Sequence, residues 1–257
     1  MKHTIRAACH CHTGKIRKKN EDNFFFGGQC LAQEHNGLAH PIQIACSLEN
    51  ETCLAVFDGM GGEYFGEMAS FSAAKAMQQA QRAPVNGSVP ETEYLDTLIG
   101  KLNEAVLLAQ RRMLTERMGT TVAGLYFRGG HVYAFNLGDS RVYRLRNGEL
   151  LQISLDHTDK RPAKVGRKPA LTQYLGIDPE EFELEPHVAK EALCAGDRYL
   201  LCSDGLSDLL THAEIAAILG NAQRVEDCVQ DFVNAALERG GRDNITAITC
   251  EIEIRNI

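Results

Sequence analysis

The sequence predicts an α+β fold of antiparallel β-sheets with helices packed outside, as a layered sandwich. Strand-like runs arrive in groups joined by short turns, with pairs of helical stretches between the groups. This order is typical of hairpin-linked antiparallel sheets and not of parallel βαβ units. Asn147-Gly148 lies between runs of alternating apolar residues and is a strong hairpin signal, and Arg128-Gly129-Gly130 is a second turn.

Four stretches carry apolar residues at the spacing that predicts helices. The longest has a stripe that includes Leu95, Leu98, Leu102 and Val106, which we interpret as a face packed on the core. The loop at residues 84–90 separates it from the helix before it. The predicted helices are residues 64–81, 91–117, 212–219 and 225–238.

Ten apolar or alternating runs predict strands around these helices. The predicted strands are residues 23–27, 42–47, 52–57, 121–127, 131–136, 141–146, 150–154, 182–188, 198–202 and 245–254.

Composition predicts a soluble intracellular protein, and we expect one domain over residues 1–257. The net charge of −7 argues against non-specific nucleic-acid binding. No stretch approaches the roughly 20 apolar residues of a membrane span, and the N-terminus lacks the apolar region of a secretion signal. The nine cysteines are read as reduced thiols. Cys9-His10-Cys11-His12 is not a zinc site by this reasoning, because alternation on a strand separates the cysteines from the histidines.

A carboxylate follows or precedes a buried strand at four places: Asp58, Asp139, Asp204 and Asp243. One Asp-Gly is ordinarily a turn. Turns alone do not explain four aspartates at strand ends, since clustered carboxylates repel each other unless a cation neutralises them. Oxygen ligands favour Mg²⁺ or Mn²⁺ over zinc. The sequence therefore predicts a site for divalent cations.

Two neighbouring segments fit such a site. The glycines that follow Asp58 allow a sharp turn and bring a backbone carbonyl close to a metal, and the segment lacks the ending of a Walker loop. Ahead of it lies a basic loop. Its lysines are interpreted as solvated, whereas Arg17 has the guanidinium geometry that binds phosphate with two hydrogen bonds.

Seven short motifs occur in the order found in the metal-dependent (type 2C) serine/threonine phosphatases, and the chain resembles a bacterial-type member over about residues 5–252. The motifs are Gly14-x-x-Arg17-x-x-Asn20-Glu21-Asp22, Phe57-Asp58-Gly59-Met60-Gly61-Gly62, Met118-Gly119-Thr120-Thr121, Asn136-Leu137-Gly138-Asp139-Ser140-Arg141, Leu155-Asp156-His157-Thr158, Leu201-Cys202-Ser203-Asp204-Gly205-Leu206 and Gly240-Gly241-Arg242-Asp243-Asn244-Ile245-Thr246.

The resemblance implies a fold of two packed antiparallel sheets flanked by helix pairs (an α-β-β-α sandwich), and it implies site roles. Asp58 would bridge two Mn²⁺ or Mg²⁺ ions, with the Gly59 carbonyl on one ion and Asp204 and Asp243 on the other. Asp139 with Asp204 would hold a third, looser ion. Glu21 and Asp22 would orient the waters on the metals, and Arg17 would bind the substrate phosphate.

The implied activity is hydrolysis of phosphoserine and phosphothreonine in proteins by a metal-activated water. It would reverse the signalling of a partner Ser/Thr kinase. We expect a cytoplasmic monomer that binds neither nucleic acid nor membranes.

The sequence departs from the family pattern at two places. Met60 stands where many eukaryotic members have a His that is proposed to protonate the leaving group. A short basic segment at about residues 159–170 stands where relatives carry a longer flap. Its five positive charges are read either as solvated surface or as a means of attracting acidic phosphopeptides. They are Lys160, Arg161, Lys164, Arg167 and Lys168.

Two alternative functions remain open at this stage. A phosphohydrolase that forms an aspartyl phosphate needs a second Asp two residues after the nucleophile, and Met60 holds that position after Asp58. A non-catalytic phosphoprotein-binding module on the same fold would be expected to lose metal aspartates, whereas this chain keeps all four.

Overall fold

The protein is an α-β-β-α sandwich of two antiparallel sheets with helices on both outer faces. The computed structural model describes residues 2–49, 51–60, 65–82, 89–115, 118–161 and 168–255. Its strands are β1 (Lys2–His12), β2 (Asp22–Phe25), β3 (Ile42–Ser47), β4 (Thr52–Met60), β5 (Gly119–Thr120), β6 (Val122–Arg128), β7 (His131–Leu137), β8 (Arg141–Arg146), β9 (Glu149–Gln152), β10 (His187–Ala192), β11 (Arg198–Cys202) and β12 (Ile245–Arg255). Its helices are α1 (Gly66–Ala80), α2 (Glu91–Met113), α3 (Asp204–Ser207), α4 (His212–Asn221) and α5 (Val225–Glu238).

The first sheet has the strand order β3-β1-β12-β11-β8-β9. Its centre is the pairing of β1 with β12, which continues in one register over all 11 residues of each strand, from Lys2 opposite Arg255 to His12 opposite Ile245. This sheet therefore depends on contact between residues at the two ends of the described chain.

The second sheet has the order β10-β7-β6-β4-β2, with β5 paired to the end of β4. The two-residue turn between β8 and β9 of the first sheet has positive φ at both Asn147 (53°) and Gly148 (81°). Positive φ at both positions defines a type I′ turn, whose twist matches that of the flanking strands.

The sheets pack face to face, and strand β4 shows why its sequence is continuously apolar. Leu54 and Val56 point into the layer between the sheets, and Ala55 and Phe57 point towards α1 and α2. A strand that is buried on both faces does not alternate with polar residues. Helices α3, α4 and α5 cover the opposite face of the first sheet through a separate cluster that contains Phe232.

The topology brings the ends of strands from both sheets to one edge. Asp22 at the start of β2 is opposite Asp58 near the end of β4. Asp139 lies where the chain leaves β7 of the second sheet for β8 of the first, Asp204 follows β11, and Asp243 precedes β12.

The predicted α+β sandwich and its four main helices are confirmed. Helix α2 ends at Met113, before the predicted residue 117, because Leu114 adopts left-handed backbone angles (φ 53°) that stop the helix. The predicted start of the first helix at residue 64 lies outside the described residues.

The strand predicted at residues 182–188 is wrong. Strand β10 begins at His187, whereas Phe182 is 66% exposed and Leu184 packs against the α1–α2 side from a loop. The apolar residues that suggested a strand belong to that loop, while β10 itself alternates weakly. Strand β5 and the single turn of α3 were not predicted.

Strand β1 was not predicted over its length, although the expected alternation at its end is confirmed. Cys9 and Cys11 lie in the layer between the sheets, and His10 and His12 lie on the other face of the strand. Nor is any described helix long and apolar enough to cross a bilayer.

Gly124 in β6 provides a test of packing on the helix-covered face of the second sheet. The Phe135 ring lies over Gly124, so that an added Cβ would overlap the ring atoms. We expect Gly124→Ala to lower the free energy of unfolding by about 1–3 kcal/mol, the usual range for overpacking, as measured by urea titration.

Gly100→Ala is the control for this substitution. Gly100 is exposed inside α2, and an added Cβ would meet nothing within 4 Å. It should raise the free energy of unfolding by roughly 0.5–1 kcal/mol through helix propensity. Equal effects of the two substitutions would contradict the described packing of Phe135.

Candidate metal centre

A buried carboxylate, Asp22, connects three segments of the chain at the edge described above. Asp22 is 1% exposed, and its Oδ2 accepts hydrogen bonds from Ser203 Oγ and Thr246 Oγ1, each at 2.7 Å. The backbone of Ser203 and Thr246 is also paired, with Ser203 N donating to Thr246 O at 3.1 Å. Asp22 thus fixes the residue before Asp204 and the strand that follows Asp243.

Asp58 lies across from Asp22 and is held through its backbone. Its N–H donates to Thr121 Oγ1 at 3.1 Å, and its carbonyl accepts from Thr121 N and Thr120 Oγ1 at 2.9 Å each. Gly59 follows, and its N–H donates to the Glu21 carbonyl at 3.1 Å. A Cβ at Gly59 would collide with the carbonyl oxygens of Glu21 and Gly66, so only glycine fits here.

The aspartates of this edge act on one another electrostatically. Burial raises the pKa of Asp58 well above its ordinary value, and the charges of Asp204, Asp22, Asp139 and Asp243 raise it further. Burial also raises the pKa of Asp139, to about 6, with Asp204 as the second cause. The pKa of Asp204 is likewise raised by burial, although Lys168 opposes the shift. Five carboxylates from separate elements therefore share one small region.

Arg17 reaches this region from the loop between β1 and β2. Its guanidinium donates to Asp243 Oδ2 at 2.7 Å, and this hydrogen bond raises the pKa of Arg17. The side chain is 47% exposed, so it lies at the opening of the site. Lys19 of the same loop has a side chain that is 62% exposed, as predicted for a solvated lysine, and its ammonium also pairs with Glu67 Oε1 at 3.0 Å.

Asn244 holds the Arg17 loop, a role that was not predicted from the sequence. Its Nδ2 donates to the carbonyls of Thr13 (2.8 Å) and Lys19 (2.9 Å), and its Oδ1 accepts from Glu21 N at 2.8 Å. The sequence signal for this role was an asparagine that directly follows the candidate ligand Asp243 and precedes an apolar strand. Asn244 is 3% exposed, so the loop is bound from its inner side.

Glu21 lies deeper than Arg17, near the start of α1. Burial raises the pKa of its carboxyl, and the negative charge of Glu67 raises it further. Glu67 was not singled out from the sequence. One of its oxygens pairs with Lys19, and the other, Oε2, is buried with no hydrogen-bond partner among the described residues.

The turn that carries Asp139 is supported by an ion pair that was not predicted from the sequence. Arg141 binds Asp156 with two of its three guanidinium nitrogens, Nε at 3.0 Å and Nη2 at 2.6 Å. His157 also holds this turn, because its Nδ1 accepts a hydrogen bond from Gly138 N at 3.2 Å. Cys202 is fully buried, and burial raises the pKa of its thiol to about 12, which disfavours the reactive thiolate.

The basic segment after His157 is described at its two ends. Asp159 N donates to Ala170 O at 2.8 Å, which joins those ends, and Arg161 pairs with Asp159 at 2.6 Å. The Lys168 ammonium pairs with Asp204. Lys164 and Arg167 lie outside the described residues.

These residues fit divalent cations by their chemistry. The donors are carboxylate and backbone oxygens, which suit Mg²⁺ and Mn²⁺, and two of the aspartates are already paired with the positive charges of Arg17 and Lys168. With the side chains in these positions, the described His, Cys, Asp and Glu residues form no group of three or more that could hold a metal ion.

Comparison with known proteins gives the same family throughout. The family model described as "Protein phosphatase 2C" matches residues 39–248. The serine/threonine protein phosphatase PstP of Mycobacterium tuberculosis is 30% identical over 96% of this chain, which spans 45% of that relative, about half its length. The serine/threonine phosphatase stp of Listeria monocytogenes is 30% identical over 94% of this chain and 93% of the relative.

Solved structures extend the likeness to three dimensions. The catalytic domain of a serine/threonine protein phosphatase PstP, solved in complex with two manganese ions, matches with a TM-score of 0.78 and 28% identity over 98% of this chain and 100% of that one. PppA of Pseudomonas aeruginosa matches with a TM-score of 0.76 and 28% identity over 96% and 97%.

Thr246→Val tests the connection made by Asp22. The substitution removes a hydrogen bond to a buried carboxylate, and we expect it to lower the free energy of unfolding by about 1.5–3 kcal/mol, measured by urea titration in EDTA. Thr249→Val on the same strand is the control. Its hydroxyl donates to the neutral carbonyl of Val225 at 2.9 Å, and its loss should cost about 0.5–1.5 kcal/mol. A cost for Thr246→Val no larger than for Thr249→Val would argue against the role of Asp22.

Proposed function

Because the chain belongs to the protein phosphatase 2C family, we propose that it hydrolyses phosphoserine and phosphothreonine in proteins with the help of divalent cations. One observation supports this most directly. Aspartates from both sheets meet at one edge, and an arginine at the opening of that edge reaches one of them. Carboxylates and a guanidinium are the groups that hold cations beside a bound phosphate.

We assign the ligands as follows. Asp58, the Gly59 carbonyl, Asp204 and Asp243 would hold two ions, with Asp58 shared between them. Asp139 and Asp204 would hold a third. Manganese is present in the similar PstP structure, and Mg²⁺ suits the same oxygen donors. When bound, such ions lower the pKa of water, so that hydroxide is available near neutral pH.

Side chains of the site then bind the substrate phosphate and orient the waters. Arg17 leaves Asp243 and takes the phosphate oxygens with two charge-assisted hydrogen bonds. Glu21 and Asp22 orient the waters of the site, and Asp22 does so while its Oδ2 remains bonded to Ser203 and Thr246. The Met60 thioether has no proton to give, so the leaving alkoxide takes its proton from water.

The substrates we propose are phosphoproteins, and the activity would oppose that of a Ser/Thr kinase in the cytoplasm. Residues 1–257 would act as one phosphatase domain and as a monomer, with the segment at about 159–170 in the position of a flap. A purely phosphoprotein-binding role is disfavoured, because Asp58, Asp139, Asp204 and Asp243 are all present and meet at the same edge.

Asp204→Asn tests the cation assignment. The amide keeps the shape of the side chain but removes the charge that offsets the ions, so we expect turnover of p-nitrophenyl phosphate with Mn²⁺ to be lost. Circular dichroism should show that the fold is kept. Asp227→Asn, at a 60% exposed carboxylate on α5, is the control and should retain activity.

Wild-type activity should disappear in EDTA and return with Mn²⁺ or Mg²⁺. Persistent turnover in saturating chelator would contradict the proposal, as would full activity of Asp204→Asn.

Arg17→Ala tests phosphate binding. Loss of a bidentate charge-assisted contact costs about 1.5–3 kcal/mol, which lowers kcat/KM roughly 10- to 150-fold. A rise in KM alone would indicate equal binding of substrate and transition state, and a fall in kcat would indicate a contact that tightens during reaction.

Lys18→Ala, one exposed residue further along the loop, is the matched control and should be close to wild type. If Arg17→Ala leaves kcat/KM unchanged, Arg17 is bound to Asp243 for structural reasons only.

A further inference from the structure

Lys168 places a positive charge among the carboxylates of the candidate metal centre. Its Nζ pairs with Asp204 Oδ2 and lies 2.5 Å from Asp208 Oδ2. Asp208 N donates to Asp204 O at 2.9 Å, so the two residues are one helical turn apart and their side chains point the same way. One ammonium is therefore held by two carboxylates, one of which is a proposed metal ligand.

The position of Lys168 is built into the fold. It is two residues from Ala170, whose carbonyl accepts from Asp159 N, and Thr158 and Leu171 form a bridge just outside that hydrogen bond. The base of the basic segment is thus fixed, and Lys168 extends from it towards α3. Its charge also reaches Asp139, where it lowers a pKa that burial and Asp204 raise.

An ammonium and a divalent ion cannot share these oxygens at low cost. Lysine is a compact point charge on a flexible stem, and like charges a few ångströms apart repel strongly near a protein surface. While Lys168 is bound, it supplies part of the positive charge that Asp204 and Asp139 require. Because such coupling is reciprocal, an ion that binds there must weaken the hold of the carboxylates on Lys168.

We propose that Lys168 is an internal competitor for the third divalent ion, which must displace the ammonium from Asp204 in order to bind beside Asp139. This inference rests on the proposed function, since it takes Asp204 as a metal ligand. The lysine stabilises the metal-free protein and raises the cation concentration at which the third site is fully occupied. Occupancy of that site is thereby coupled to the position of Lys168 in the basic segment.

Calorimetric titration of the metal-free protein with Mn²⁺ tests the competition. We compare the wild type, Lys168→Met, Lys168→Gln and the control Lys160→Met, which removes an exposed lysine from the same segment. Both Lys168 variants should bind the weakest Mn²⁺ about tenfold more tightly than the wild type, or gain a third Mn²⁺ that the wild type does not bind. Lys160→Met should match the wild type.

Thermal unfolding separates competition from a purely structural ion pair. In EDTA, Lys168→Met should melt at a lower temperature than the wild type, because Asp204 and Asp208 lose their counter-charge. In saturating Mn²⁺ that difference should vanish or reverse. An equal loss of Tm in both conditions would overturn the proposal and leave Lys168 as a structural residue.

The two proposals fail in different ways. A wild type that binds no Mn²⁺ contradicts the proposed function itself. A wild type that binds Mn²⁺, with Lys168 variants whose isotherms superimpose on it, contradicts only the competition by Lys168.

Discussion

The buried carboxylate of Asp22 is the constraint on which the rest of the site depends. A carboxylate taken out of water is costly unless hydrogen bonds replace its hydration, and here the hydroxyls of Ser203 and Thr246 supply them. Ser203 directly precedes Asp204, and Thr246 is three residues after Asp243. Satisfying one buried oxygen therefore also restrains the positions of two proposed metal ligands, while Asp22 itself is opposite Asp58 in the second sheet.

This arrangement concentrates negative charge in a small region, and the structure offsets it locally. Arg17 pairs with Asp243 and Lys168 with Asp204, both from loops at the rim and both partly exposed. Mutual repulsion of carboxylates favours any cation that can reach them. The concentrated negative charge lowers the stability of the folded protein at this edge, and the same charge makes the edge suitable for binding cations. Such conflicts between stability and function are common.

Local signals in the sequence were sufficient for much of the fold and for the aspartates. The apolar run of β4 ending at Asp58, and the Asn147-Gly148 turn, are set by neighbouring residues and were read correctly. The role of Asn244 and the contact of Lys168 were not, because both depend on partners far away in sequence. The strand predicted at residues 182–188 was wrong for a related reason: Leu184 packs on the core from a loop, and Phe182 is exposed.

The pairing of β1 with β12 has a consequence for the order of folding. Strand β1 takes its central partner from residues 245–255, so that sheet cannot close until the chain as far as β12 has left the ribosome. Contacts of such long sequence separation form slowly, and β1 meanwhile presents an unpaired edge. Since Arg17 is tied to Asp243 and its loop to Asn244, the proposed phosphate-binding loop also cannot take its final position before those two residues have been made.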